Sequence, residues 1–426
     1  MKLKLFLLGV VSFLMLPVLV ELPALLAVNT ASTPGQLDPT FGVDGIVQTN
    51  VGPFDVSTDV AIQPDGKIVI VGTAFGPPPS NFILIRYLTD GTVDQTFGDN
   101  GIVITNLSSS DIARKAVIHD GKIVVIGESN AGGNKAVALA RYDADGNLDV
   151  TFGNNGVVVT PVGFTAEGWD IARQGDGKYV AVGGADDRFL IIRYNDDGSL
   201  DDAFGSNGVV HETDVYTVAT SVAIQPNGKI VVAGRANGIG LLRYNSDGSR
   251  DSSFGANGFV HTGPPVAAAW DMLIQPDGKI VAVGSYASSI EFPAGLDMVV
   301  VRYTSSGDPD TSFGDNGRAI LAVSAEADEA LGVEQQPDGK LLVAGYSQSN
   351  QFTLLRLTTD GTLDSGFGTD GITGTGACCR AQALALQPDN KIVVTGFGFS
   401  DFITARFEND AAGGAQQFVF LPLIQR

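Results

Sequence analysis

Seven copies of one three-part motif run through this 426-residue chain, and a repeat of this length fixes the architecture before any other property enters. The first part is Phe-Gly with a second Gly three residues on. It reads LDPTFGVDG from Leu37, VDQTFGDNG from Val93, LDVTFGNNG from Leu148, LDDAFGSNG from Leu200, RDSSFGANG from Arg250, PDTSFGDNG from Pro309 and LDSGFGTDG from Leu363. The second part is a Gly-Lys turn between two apolar runs, as in VAIQPDGKIVIVG from Val60. The third is an apolar run ending in Arg-Tyr, as in ILIRY from Ile83. The steps between Phe41, Phe97, Phe152, Phe204, Phe254, Phe313 and Phe367 are 56, 55, 52, 50, 59 and 54 residues.

Each copy reads as four short strands. In the fourth, Thr220 to Gln225 alternates apolar and polar residues, Pro226-Asn227-Gly228 turns the chain, and Lys229 to Ala233 returns. Asn-Gly and Asp-Gly suit such hairpins because both central residues take positive φ. In the last copy Asn390 replaces the Gly, and Asn is the next most tolerant residue there. A third run, Gly240 to Tyr244, precedes a second Asp-Gly turn at Asp247-Gly248, and Gly258 to His261 follows. No stretch inside the repeats sustains a 3.6-residue period, so helix is essentially absent. Four antiparallel strands repeated radially make a propeller blade, and the chain is expected to be an all-β, seven-bladed β-propeller over residues 32–410.

Call the strand before the Gly-Lys turn A, the one after it B, the Arg-Tyr strand C and the one after Phe-Gly D. The chain starts with an orphan D, Gly45 to Thr49, and ends with A, B and C only, Ala381 to Phe407. The N-terminal strand is therefore expected to join the last blade and close the ring, which removes a free sheet edge.

The repeated charges fit a structural role. Seven of eleven lysines follow the A–B turn (Lys67, Lys122, Lys178, Lys229, Lys279, Lys340, Lys391), and seven of fifteen arginines end strand C (Arg86, Arg141, Arg193, Arg243, Arg302, Arg356, Arg406). A function needing one basic group does not require seven. The arginines are expected to pair with Asp94, Asp149, Asp201, Asp251, Asp310 and Asp364 or with carbonyls of the next blade, a task suited to a planar, permanently charged fork. The Phe of each Phe-Gly is expected to wedge between blades.

The coupled pattern LDxxFGxNG, QPDGKIVVxG and LxRYxxDGxLD resembles the delta-60 repeat family of bacterial exported proteins, across nearly the whole chain. Copy three departs with Arg173-Gln174-Gly175-Asp176, copy six with Arg356-Leu357 and copy seven with Arg406-Phe407, all keeping turn or apolar character. The resemblance implies a β-propeller on an exported protein and transfers no catalytic residue.

Lys2 and Lys4 precede an apolar-rich run from Leu5 to Val20, with small residues at Ala24, Ala27 and Ala31, the layout of a secretory signal peptide. Residues 1–31 are read as that signal, cleaved near Ala27 or Ala31, or as a retained N-terminal anchor. The expected location is secreted or at the cell surface. At the other end, 411–426 form a Gly/Ala/Gln linker and an apolar tail, FVFLPLI from Phe418, too short to span a membrane. It is an added strand against the propeller or a surface-attachment signal. The formal charge of −21 disfavours phosphate backbones and anionic membrane as partners.

Strand direction puts the A–B and C–D turns on one face and the B–C and D–A loops on the other. The first face is monotonous, and the second holds the variation, where function concentrates. There Asp59, Asp170 and Asp271 stand just before strand A in copies one, three and five, and Trp169 and Trp270 precede two of them. Carboxylates and indoles at a channel mouth suit sugar stacking with hydroxyl recognition, or a cation; the alternative is that each Asp caps amides of a neighbouring loop. Cys378 and Cys379 are the only cysteines, and outside the cell an adjacent pair is expected to form a vicinal disulfide. They are too few for structural zinc, and no metal site is assigned. Asp143 to Asp149 imitates the start of a calcium loop, but its counterparts begin with Leu88, Asn195, Asn245 and Thr304 and no bidentate Glu follows; it reads as a hairpin turn, and no cofactor beyond a possible calcium ion is expected. His119, His211 and His261 carry no nucleophile motif. The reading is a monomeric, non-enzymatic binding or scaffold module for an extracellular glycan or protein, held by the variable loops. The alternatives are a carbohydrate-active hydrolase or lyase using channel-mouth carboxylates, and a purely structural surface protein.

Overall fold

The computed structural model describes residues 33–410 except 77–78, 131–132, 217, 237, 264–267, 288–294 and 348–350, and of 214–216 and 377–378 it describes the backbone only. The N-terminal apolar segment and the C-terminal tail lie outside the described residues. Among the described residues, twenty-eight strands, β1–β28 in chain order, form seven four-stranded antiparallel sheets. Blade 1 is representative, with β2 (Phe54–Ile62), β3 (Ile68–Phe75), β4 (Asn81–Tyr87) and β5 (Ile102–Thr105) as strands A to D. The molecule is a seven-bladed β-propeller.

The inner strands are β2, β6 (Asp111–His119), β10 (Ala166–Arg173), β14 (Ala219–Ile224), β18 (Ala268–Ile274), β22 (Glu329–Gln335) and β26 (Arg380–Leu386). Each packs against the next around the axis, and β26 returns to β2. The ring closes as the repeat phase predicts. β1 (Ile46–Thr49) pairs with β28 (Asp401–Phe407), Ile46 opposite Ala405 and Thr49 opposite Phe402. Strands B and C read as unbroken apolar runs because blades cover both of their faces; Ile68 to Val71 and Ile83 to Ile85 are fully buried.

One charged staple recurs in all seven blades. The Arg closing strand C donates through Nε to the Asp that follows it, at 2.7–2.9 Å. The Lys after the A–B turn reaches the same carboxylate at 2.5–3.2 Å. The guanidinium lies over the buried Phe of Phe-Gly, 4.4–4.7 Å from its ring centre. Its Nη1 then crosses to the next blade, to the carbonyls of Ala144, Asp196, Ser246, Ser305, Thr359 and Thr89, or in Arg356 to Asn409 Oδ1. The seventh carboxylate is Asp38, which meets Arg406 and Lys391 only because the N-terminal segment completes the last blade. Burial opposes ionisation of these seven aspartates, but the lysine, arginine and local hydroxyl or amide hydrogen bonds outweigh it and hold the carboxyls below their ordinary values.

The Phe-Gly turn supplies the second cross-blade tie. Gly98 N–H donates to the Asp145 carbonyl of the next blade at 2.8 Å, and Gly42, Gly153, Gly205, Gly255, Gly314 and Gly368 do the equivalent. The following blade's turn glycine sits on the Phe: a Cβ on Gly146 would stand 2.9 Å from the Phe97 ring, and its φ is +86°. Motifs distant in sequence are thus parts of one joint.

A third repeated glycine, ending the KIVVxG run, has another cause. In every blade the register of A against B slips by one residue, leaving Thr58, Arg114, Trp169, Thr220, Trp270, Leu331 and Gln382 as bulges. The bulge pushes a carbonyl onto strand B, so a Cβ on Gly284 would lie 1.8 Å from the Ala268 oxygen.

Two substitutions test this frame. Arg243→Ala leaves Asp251 with Lys229 as its one cation and removes the cover of Phe254 and the tie to the Ser305 carbonyl, which should cost about 3 kcal/mol in denaturant unfolding. Gly284→Ala forces the bulge apart and should cost about 3 kcal/mol by the same measurement, with no charge removed.

Candidate functional site

The bulge sets the chemistry of the channel, because it turns the next residue of strand A toward the adjoining blade. Around the ring that residue is Asp59, Lys115, Asp170, Ser221, Asp271, Gly332 and Ala383. The three aspartates therefore lie inside strand A rather than ahead of it. The extra residue resets the period-2 alternation, so the pattern read back from the turn stops one residue short of them.

Each aspartate reaches the next blade. Asp59 Oδ2 accepts from the Ala116 N–H at 2.9 Å, and Lys115 Nζ donates to Oδ1 at 3.3 Å. Asp170 Oδ2 accepts from Val222 N–H at 2.8 Å and from Ser221 Oγ at 3.0 Å, and Oδ1 from Ile171 N–H at 2.8 Å. Asp271 Oδ2 accepts from Val333 N–H at 3.0 Å and Oδ1 from Met272 N–H at 2.9 Å, with Ser221 Oγ at 3.3 Å. The carboxylates stitch blade 1 to 2, 3 to 4 and 5 to 6. All three are at most 5% exposed. Burial pushes Asp59 up against the pull of Lys115, and pushes Asp170 up to about 6, with the Asp271 charge adding and Lys115 opposing.

Trp169 and Trp270 are both bulge residues, on blades 3 and 5. The intervening bulge residue is Thr220, whose hydroxyl turns to the Ala269 carbonyl at 2.9 Å. The two half-buried indoles meet at 6.2 Å between ring centres with 37° between planes. Arg114, the bulge residue of blade 2, lies 3.8 Å over Trp169, and Arg235 lies 5.9 Å from the Trp270 ring. Sequence reasoning missed Arg114 and its partners Glu128 and Glu167, at 3.3 and 3.4 Å. Despite its burial, Glu128 is drawn below its ordinary value by Lys135 and Arg114, whereas burial raises Glu167. The signal for Arg114 was its column: it occupies the position that Trp169 and Trp270 hold in their own repeats.

The remaining candidates are placed as follows. Cys379 is buried, and the side chain of Cys378 lies outside the described residues, so the disulfide does too. Asp143 Oδ1 accepts from the N–H groups of Asp145 and Asn147, both at 2.9 Å, which makes the calcium-like segment an Asx turn. His211 Nε2 lies 2.9 Å from the Ala185 carbonyl, and the His261 ring stacks on Phe259.

The two carboxylate populations oppose each other in pH. The seven staple aspartates have folded pKa values below the unfolded value of ~3.9, so their contribution is present above that pH and is lost in stronger acid. Asp170, raised to about 6, contributes most below ~4 and loses its contribution as the pH rises through about 6. Thermal midpoints should therefore peak near about pH 4, and Asp170→Asn should flatten the decline between about pH 4 and 7 without moving the acid limb.

Among solved structures, the WD40 β-propeller domain of Doa1 is 12% identical, with 89% of this chain and 98% of that one covered and a TM-score of 0.49. Sqt1 of Chaetomium thermophilum, bound to the N-terminus of the ribosomal protein L10, is also 12% identical over 85% and 98%, with a TM-score of 0.49. A protein of unknown function from Bacteroides caccae is 13% identical over 63% and 82%, at 0.38. Comparison with curated proteins finds no match. The profile of one β-propeller repeat family matches residues 63–97, 119–152, 174–204, 225–254, 275–313, 336–367 and 387–410, just over half of the chain. The first six segments run from the end of strand A to the Phe of Phe-Gly and so enclose one Lys, Arg, Asp and Phe of the staple; the seventh encloses Lys391 and Arg406, whose Asp38 and Phe41 lie at the N-terminal end. The chain belongs to that family, described as the beta-propeller domain of unknown function DUF5122.

Proposed function

We propose that this chain is an exported, non-enzymatic binding module whose B–C and D–A loops hold a glycan or a protein. One observation carries the reading: the repeated residues are consumed in the joints between blades, while the opposite face presents large aromatic side chains with no part in them. Phe164 is 80% exposed, Phe399 74% and Phe54 44%. The loop beneath Phe164 is built rather than loose, since Asp186 Oδ1 accepts from the N–H groups of Phe164 and Thr165 at 3.0 and 3.1 Å. Exposed aromatics on a rigid frame are the contact groups of recognition surfaces. Trp169 and Trp270 lie on inner strand A, where their rings meet at a tilt and Arg114 covers Trp169.

The resemblance to the delta-60 repeat family and the signal-like N-terminus support a location outside the cytoplasm. A hydrolase or lyase reading needs a polysaccharide to reach Asp59, Asp170 or Asp271, which are at most 5% exposed and already accept backbone N–H groups. The binding reading needs no such access.

Residues 32–410 displayed against glycan and peptide arrays, with and without calcium, test the proposal. Saturable binding weakened tenfold or more by Phe164→Ala, Phe399→Ala or Trp169→Ala is the expected result. Binding that ignores all three, or none on either array, contradicts it; a calcium requirement would bring the turn aspartates back as ligands.

A further inference from the structure

The B–C hairpin of blade 7 breaks a rule that the same hairpin keeps in blade 3. In blade 3, β11 (Tyr179–Ala185) and β12 (Arg188–Tyr194) are joined by Asp186-Asp187, with φ of +49° and +60°. Asp tolerates this left-handed region. In blade 7, β27 (Ile392–Gly398) and β28 are joined by Phe399-Ser400, with φ of +52° and +73°. A bulky residue is strained there, and this one is 74% exposed. Phe399 thus stabilises the fold neither through its backbone nor through burial of its ring.

The hairpin lies at the seam with blade 1. Asp55 N–H donates to the Ser400 carbonyl at 2.8 Å, which sets Phe399 beside the strand end that carries Phe54. Phe54 is 44% exposed and meets Phe75 at 5.9 Å. Two carboxylates follow these residues in the chain, Asp55 directly after Phe54 and Asp401 directly after Ser400. Asp401 accepts from the side-chain amides of Gln48 and Asn50. Asp55 is buried; its Oδ2 accepts from the N–H groups of Val51 and Gly52, and its Oδ1 has no partner among the described residues. The equivalent Asp111 and Asp328 have that oxygen filled by the hydroxyls of Ser108 and Ser324, at 2.7 and 2.6 Å, where blade 1 has Gly52. Burial and the Asp401 charge both raise Asp55. Among the described residues neither carboxylate is paired with Lys or Arg, unlike those of the staple.

We propose that the seam of blades 7 and 1 docks an apolar side chain flanked by Lys or Arg from a partner polypeptide. Phe399, Phe54 and Phe75 supply the apolar contact; Asp401, with the buried Asp55 behind it, supplies a field that a cation would relieve. The inference rests on the binding-module reading and selects one place and one ligand chemistry within it.

The test uses residues 32–410 and an array of 12-residue peptides carrying Leu and Phe anchors between Lys flanks or between Glu flanks. Lys-flanked peptides should bind, weaken as salt rises from 50 to 500 mM, and lose at least tenfold in affinity to Phe399→Asn. The same substitution should raise the thermal midpoint, by about 1–2 °C, because Asn relieves the backbone. A fall in midpoint overturns the proposal by showing that Phe399 serves the fold. Equal binding of Glu-flanked peptides, or binding of neither set, overturns the partner chemistry. Self-association in sedimentation that Phe399→Asn abolishes makes the seam an interface between copies and overturns the heterologous partner. Binding that survives Phe399→Asn but is lost in Phe164→Ala overturns the seam while leaving the binding module standing.

Discussion

A buried arginine that touches its own blade's aspartate, its own blade's phenylalanine and the next blade's turn is the contact on which the rest of the structure depends. Packed apolar faces make up most of the contact between blades, and they carry no directional bonds that fix a blade's rotation. The guanidinium removes that freedom. Its fork satisfies the Asp on one side and a carbonyl on the other, its plane lies on the Phe, and Lys finishes neutralising the carboxylate. Such a buried ion pair is a device for geometry more than for net stability, since desolvation offsets much of its attraction. Seven of them set seven equal joints, and the last cannot form until residues 33–49 have returned to meet β28.

The division of labour between the faces follows. The staple, the Phe-Gly tie and the turn glycines all lie on the side of the A–B and C–D turns, and the family match falls on those same residues. Family membership therefore reports how the ring is built. Inner strand A and the D–A loops lie largely outside the matched segments, and there the copies diverge: the post-bulge position is acidic in three blades, basic in one and small in the others. Alternate aspartates still do structural work there by capping amides of the next blade. The loops above them tie neighbouring blades through backbone groups, as in Asp55 N–H to the Ser400 carbonyl and Asp111 N–H to the Ser80 carbonyl, and leave side chains such as Phe164 and Phe399 outside those ties.

Much of this was legible in the sequence because repetition amplifies weak signals. Seven Asn-Gly or Asp-Gly-type hairpins and the missing D strand gave blade number and closure, and the recurrence of Arg, Lys and Phe gave their structural role. Asp38 was overlooked as the seventh staple carboxylate because its arginine stands 368 residues away. The bulge was overlooked although each copy advertised it: a glycine inside an otherwise β-branched strand marks a close backbone approach. Missing it put the aspartates at the channel rim rather than within the strand. The Arg114–Trp169–Trp270 cluster depends on which blades are neighbours in space and on a small Thr220 between two indoles, and no local pattern encodes that. Strain at Phe399 was equally hidden, because a Phe-Ser dipeptide announces no left-handed turn.

The division proposed for this ring is that repetition builds the architecture and variation serves recognition. Its most direct test is the thermal stability of alanine variants at all seven staple arginines, measured in parallel with Phe164→Ala and Phe399→Ala. The account predicts large and similar losses at Arg86, Arg141, Arg193, Arg243, Arg302, Arg356 and Arg406, with the two phenylalanine variants unchanged or more stable. A staple arginine whose removal leaves stability intact, or an exposed phenylalanine whose removal unfolds the ring, would contradict it.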